Sequence, residues 1–169
     1  WDLDRGARIR QAMPDCAITT DSIAGFCGET EQDHQDTLDI MRRVKYDYAY
    51  MFQYSERPGT LAARKYPDDI VPQEKTRRLN EIIALQNELS LESNKKDVGK
   101  VLTVLVEGTS KRSDKELCGR ASNNKMCVFP AELAEASEPT APGRYHVGDY
   151  VKVEVLSCTS ATLICKIAE

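Results

Sequence analysis

The sequence predicts a mixed fold, an α/β layer followed by a small antiparallel β-barrel of the OB-like kind. Three observations predict it. Helix and strand patterns alternate through residues 1–60 in the order helix, strand, helix, strand, which implies parallel strands joined by a right-handed crossover. A long helical pattern then runs from Pro72 to about Lys96. Behind it, five short strand patterns separated by Gly or polar turns fill residues 100–167, the spacing of a small closed sheet.

The first helix is carried by Leu3, Ala7, Arg10 and Met13 and stopped by Pro14-Asp15. Cys16–Phe26 (CAITTDSIAGF) reads as a buried strand, rich in Ile and Thr and closed by Gly25. Thr30-Glu31-Gln32-Asp33 has the form of a capping box. The helix behind it shows Leu38, Met41 and Val44 on one face, with acids early and bases late to complement its dipole. In the next strand Tyr46, Tyr48, Tyr50, Phe52 and Tyr54 alternate with smaller residues, so one face is a stripe of rings, expected to be core. Ser55–Thr60 breaks this strand into a loop. Pro72 suits the first position of the long helix, on which Leu79, Ile82, Ile83 and Leu89 recur at helical spacing and Glu74 stands four before Arg78. The barrel strands are expected at 100–107, 117–121, 125–129, 149–158 and 161–167. Glu132–Gly143, rich in Pro, Ala and Glu, reads as a mobile insertion.

Composition narrows the function classes. The 169 residues are 41% hydrophobic and 30% charged, ordinary for a globular chain. No apolar run approaches the ~18 residues of a membrane span, and no basic-then-apolar signal segment is present; membrane and secretory readings are not expected. A net charge of −4 and a pI near 5.3 argue against gripping nucleic acid by bulk charge. The six cysteines, at 16, 27, 118, 127, 158 and 165, form no CxxC and no zinc spacing, and are expected to be buried free thiols. His34 and His146 show no metal-ligand spacing, and each reads as a surface or helix-packing histidine.

Three places could carry chemistry. Gly25, Phe26, Gly28 and Glu29 end the first parallel strand, where loops and helix N-termini of α/β folds present free N–H groups. A tight turn that merely needs glycine is the competing reading. Tyr54, Ser55 and Arg57 end the second strand on the same rim, where a guanidinium can clamp a carboxylate or phosphate; a solvated turn is the competing reading. In the barrel, Lys111 and Arg112 lie in a polar turn, and Arg120, Asn123, Asn124 and Lys125 join two strands. Such loops can follow a phosphate backbone or meet base edges. Residues 97–169 nevertheless hold nine Lys/Arg against ten Asp/Glu, so charge alone favours a solvated hairpin.

GFCGETEQDHQDTL (25–38), FQYSERPGTLAA (52–63), LQNELSLESNKKDVGK (85–100), VLVEGTSKRS (104–113) and LCGRASNNKMCVF (117–129) occur in that order. Together they resemble the C-terminal part of the MiaB-type tRNA methylthiotransferases, which are radical S-adenosylmethionine enzymes. The resemblance spans essentially the whole chain, and the SKRSDKELCGRASNNK stretch resembles the tRNA-modifying branch. It implies that residues 1–70 are the C-terminal portion of a radical-SAM partial (β/α) barrel, 71–97 a connecting helix and 98–169 a TRAM RNA-binding barrel. It implies a cytoplasmic, monomeric complete enzyme that places a methylthio group on carbon 2 of isopentenyl-adenosine beside the tRNA anticodon. The cofactors would be S-adenosyl-L-methionine and two 4Fe-4S clusters: one cluster, held by CxxxCxxC, would cleave the S-adenosylmethionine to an adenosyl radical, and the other would hold the sulfur. None of the six cysteines matches the cluster motifs, so cluster ligands are expected outside this chain, which by itself would be a catalytically inactive fragment.

By the same resemblance Gly25, Phe26, Gly28, Glu29, Tyr54, Ser55 and Arg57 would lie near S-adenosylmethionine. Lys100, Lys111, Arg112, Arg120, Asn123, Asn124 and Lys125 would touch the tRNA anticodon stem-loop, and no residue here is assigned as catalytic or metal-binding. The abrupt, uncapped start and the two-strand parallel layer favour a piece of a longer enzyme. The competing readings are a methylthiotransferase for another tRNA adenosine or a ribosomal protein, and a non-catalytic RNA-binding protein.

Overall fold

A computed structural model describes residues 2–131 and 145–168; the insertion expected over Glu132–Gly143 lies outside them. The chain divides into two compact units, Trp1–Ser90 and Leu91–Glu169.

The first unit contains α1 (Asp2–Ala12), β1 (Thr19–Ala24), α2 (Glu31–Val44), β2 (Tyr48–Gln53), α3 (Leu61–Lys65) and the greater part of α4 (Pro72–Lys95). The capping box forms as expected, with the Thr30 hydroxyl accepting from the Asp33 N–H at 3.2 Å and the Asp33 carboxylate accepting from the Thr30 N–H at 2.9 Å. Lys45 closes α2 in the left-handed conformation, and Arg10 of α1 donates to the Lys45 carbonyl at 2.7 Å. The short helix α3, capped by the Thr60 hydroxyl, has no counterpart in the sequence reading.

Strands β1 and β2 pair in parallel, Thr19 opposite Tyr48 through Ala24 opposite Gln53. Ala24, with Met51 from β2, packs into a core of Leu38, Met41, Ile82 and Leu89 from α2 and α4. Two expectations are corrected. The first strand is shorter than Cys16–Phe26, and of its residues only Ala24 is buried. Most of the ring stripe is not core: Tyr46 packs against the core, but Tyr48, Tyr50 and Phe52 are 47–55% exposed, and Ile23 stands with them. Alternation along a strand gives the period but not which face is covered. The covered face here carries the small residues Ala24 and Ala49.

The second unit is a closed barrel of β3 (Val101–Ser110), β4 (Ser113–Ala121), β5 (Met126–Pro130), β6 (Tyr150–Cys158) and β7 (Leu163–Ile167), in the order β3-β4-β5-β7-β6. All five expected strands are present, β3 and β4 being longer than read. The barrel is not wholly antiparallel, because β5 and β7 pair in parallel. A ring with an odd number of strands cannot alternate direction at every step, so closing five strands forces one parallel pair. Inward residues Val104, Val106, Cys127, Phe129, Val151, Val153, Val155, Leu163 and Cys165 make the core. Gly119 is obligatory there: a Cβ would stand 2.0 Å from the Leu105 carbonyl oxygen, beside the bulge between Val106 and Gly108.

All six cysteines are free, as expected, but only Cys127 and Cys165 are buried. The two neighbour each other in the barrel core; the Cys165 thiol and burial push the Cys127 thiol up. Among the described residues no helix is long and apolar enough to cross a membrane.

Candidate functional site

The rim of the first unit is built by the βα turn after β1 and the loop after β2. Gly25 and Gly28 both have positive φ, +75° and +76°. The Gly25 N–H donates to the Glu29 carboxylate, which also receives Arg78 Nη1 at 3.1 Å, while Arg78 donates to the Glu29 carbonyl at 2.8 Å. The Gly28 N–H donates to Asp69 at 2.8 Å. The backbone donors of Gly25 and Gly28 and the Glu29 carboxylate are therefore engaged within the protein.

Phe26 and Tyr54 meet edge to face with centroids 4.9 Å apart, and Tyr66 stands at 6.3 Å from Phe26. Buried Lys75 reaches beneath them from α4, holding Asp68 at 2.5 and 2.7 Å and lying 5.1 Å over the Tyr54 ring. The Cys27 thiol beside the Tyr54 hydroxyl, then burial and the Glu56 and Asp68 carboxylates, push that phenol up to about 12. Lys75, Asp68 and Asp69 were absent from the sequence reading, which gave Arg78 only as the helical partner of Glu74; no local pattern links Gly28 to Asp69 or Glu29 to Arg78, 41 and 49 positions apart.

Beside this rim, on the open face of β1 and β2, lies a cleft of about 500 Å³ bounded by Asp21, Ile23, Phe52, Tyr54, Ser55 and Arg57 among others. That volume suits a small organic ligand. Tyr54, Ser55 and Arg57 come together there; Gly25, Phe26, Gly28 and Glu29 do not line it. Asp21 and Arg57 give the cleft one carboxylate and one guanidinium, a pair suited to a ligand carrying both charges. Among the described residues no group of three or more His, Cys, Asp or Glu is placed to hold a metal.

In the barrel the seven basic and amide residues fall into three groups. Lys100, Asn123 and Lys125 converge on Asp97, with Lys100 Nζ at 2.9 Å, Asn123 Nδ2 at 3.5 Å and Lys125 Nζ at 2.6 Å. Lys125 also donates to the Ser93 carbonyl at 3.0 Å and is largely buried. Burial pushes the Asp97 carboxyl up, but Lys125 and Lys100 outweigh it and hold the group below its ordinary range. Asp97, which the sequence reading missed, thus fixes the β4–β5 turn.

Arg120 and Asn124 form the second group. Arg120 Nη1 donates to the Asn124 carbonyl at 2.9 Å, its Nε stands 3.5 Å from Glu107, and Asn124 takes φ +62°. Lys111 and Arg112 form the third, exposed in the β3–β4 turn about 15–20 Å along the strands from Arg120.

Residues 95–167 match the TRAM domain family. The chain is also similar to proteins named tRNA-2-methylthio-N(6)-dimethylallyladenosine synthase. The relative from Phocaeicola vulgatus is 50% identical over 96% of this chain and 33% of its own length. That from Amoebophilus asiaticus is 51% identical over 99% and 32%, and that from Porphyromonas gingivalis 48% identical over 100% and 34%. The chain therefore spans about a third of the length of the relatives it matches. A solved multidomain protein with nucleic acid binding domains from Streptococcus pneumoniae overlaps 46% of this chain and 28% of its own, at 13% identity and a TM-score of 0.30, a likeness too low to carry an argument.

Proposed function

We propose that this chain, which carries a TRAM domain and corresponds over nearly its whole length to the C-terminal part of the tRNA-2-methylthio-N(6)-dimethylallyladenosine synthases, supplies the RNA-binding end and one wall of the catalytic barrel of a tRNA methylthiotransferase. The complete enzyme would transfer a methylthio group to carbon 2 of isopentenyl-adenosine next to the anticodon, working in the cytoplasm as a monomer. One observation carries this reading: the matches, at about 50% overall identity, span both units and not the TRAM barrel alone. Residues 1–70 would belong to the radical-SAM barrel, 71–97 to the connecting helix and 98–169 to the TRAM domain.

The two cofactor types fare differently against the residues present. Among the described residues no cluster of side chains suits an iron–sulfur centre. The cleft fits S-adenosyl-L-methionine better. Arg57 would take its carboxylate, Asp21 its ammonium or ribose hydroxyls, and Tyr54 and Ser55 would wall it. Bound there, and given one electron by a cluster held outside this chain, the cofactor would supply an adenosyl radical. Gly25, Phe26, Gly28 and Glu29 would act one layer back, with Phe26 bracing the Tyr54 ring. This chain alone would turn over no substrate.

For the RNA end, Lys111 and Arg112 are the exposed phosphate-contact candidates and Arg120 with Asn124 the base-contact candidates. Lys100, Asn123 and Lys125 would chiefly hold the loop through Asp97. The test is binding of a tRNA anticodon stem-loop by this chain across a salt series. Micromolar or tighter binding that weakens with salt is expected, with Lys111→Ala or Arg112→Ala each lowering the slope by about one. No binding at low salt, by a chain whose circular dichroism shows it folded, would overturn the RNA-binding role.

A further inference from the structure

The barrel carries a row of outward side chains that no sequence pattern joins. Leu105 of β3 pairs with Tyr150 of β6 on one side and with Arg120 of β4 on the other, and Arg120 pairs in turn with Met126 of β5. The flanking residues Val104, Val106, Val151, Ala121 and Cys127 are all buried, so alternation turns Tyr150, Leu105, Arg120 and Met126 to the outer face. Tyr150 is 71% exposed, the largest exposure of any big hydrophobic residue described.

We infer that Tyr150, Leu105, Arg120 and Met126 form a stacking platform for an unpaired RNA nucleobase, which deepens and rests on the RNA-binding role proposed above. The chemistry is specific to such a base. Bases stack on aromatic rings and on guanidinium planes, both of which the row presents, and Leu105 and Met126 supply an apolar floor between and beside them. The guanidinium is already held: Asn124 takes Nη1 at 2.9 Å and Glu107 lies 3.5 Å from Nε, leaving its face and Nη2 edge to a ligand. Charge next to the row suits a phosphate. Lys152 lies two residues from Tyr150 on the same face, opposite Thr103, and has no carboxylate partner among the described residues. The nearby acids are spoken for, Glu154 by Lys166 at 2.9 Å, Asp149 by the His146 N–H at 2.8 Å and Glu107 by Arg120. A duplex offers no exposed base face to such a platform, whereas an unpaired loop does.

The experiment is fluorescence anisotropy of a labelled single-stranded oligoribonucleotide, and of the same strand annealed to its complement, titrated with the whole chain. Tyr150→Ala should weaken single-strand binding about five- to a hundredfold with an unchanged salt slope. Tyr150→Phe should retain binding. Arg120→Lys, which keeps the charge and loses the plane, should also weaken it, and duplex binding should not respond to Tyr150→Ala. Circular dichroism checks that each variant keeps its barrel. Equal single-strand affinity for Tyr150→Ala and the parent would overturn the platform while leaving RNA binding in place. Failure of the parent chain to bind either RNA would overturn both.

Discussion

Gly25 and Gly28 share one backbone conformation and differ in their surroundings, which separates two physical costs. At Gly28 a Cβ would meet nothing within 4 Å, so Gly28→Ala incurs only the left-handed backbone penalty, about 1 kcal/mol. At Gly25 the Cβ would stand 2.3 Å from Lys75 Cγ. Lys75 is buried and pinned at both Asp68 oxygens, so it has little room to give. Gly25→Ala should therefore cost about 3 kcal/mol, the overpacking and backbone terms together. Urea unfolding of the two variants checks the ordering, and equal losses would refute the contact argument. At this scale both glycines were visible in the sequence as either turn or ligand residues. What engages the two turns, Lys75 beneath one and Asp69 bonded to the other, lies some 40 to 50 residues away and leaves no local trace.

Helices α2 and α4 are joined by a charge network rather than by apolar contact alone. Arg77 binds Glu31, Glu74 and Glu81, Arg78 binds Glu29 and Glu74, and fully buried His34 meets Glu81 at 2.7 Å. The local pieces were legible, both the Thr30 cap and the Glu74–Arg78 spacing, because each is closed within four residues. The cross-helix partners were not. Hydrogen bonds from Arg77 and then Arg78 outweigh desolvation and hold Glu74 down at about 2, against an ordinary value of 4.5. A depressed carboxylate adds stability above its unfolded value and loses it as pH falls through the folded one. The first unit should accordingly hold its stability down to about pH 4.5 and lose it progressively towards pH 2, with Glu31 and Glu81, also lowered, contributing. Denaturation midpoints across that range should fall less steeply for Glu74→Gln than for the parent. An unaltered acid slope in the variant would remove Glu74 from the account.

Across the whole molecule, alternation in residues 100–167 was enough to name five strands, but not their closure. The parallel β5–β7 pair exists only because a five-membered ring must contain one, which is a property of the assembled barrel and not of any strand. The compact unit that holds the barrel begins at Leu91, ahead of the boundary at 98 that the family resemblance implies. Between the two, Ser93, Asn94 and Asp97 are buried, which their polar character does not announce in the sequence. Asn94 donates to the Thr159 and Ser160 carbonyls at 2.9 and 3.2 Å, and Asp97 neutralises Lys125. A chain beginning at residue 98 would lose both anchors and leave the largely buried Lys125 ammonium without its carboxylate, a loss of about 3 kcal/mol. One beginning at residue 91 retains them. The longer piece should therefore unfold at clearly higher urea than the shorter, and Asp97→Ala in the full chain should destabilise the barrel by most of the same amount. Matching midpoints for the two pieces would mean that the last turn of α4 is dispensable to the barrel, and that its buried polar contacts contribute position without stability.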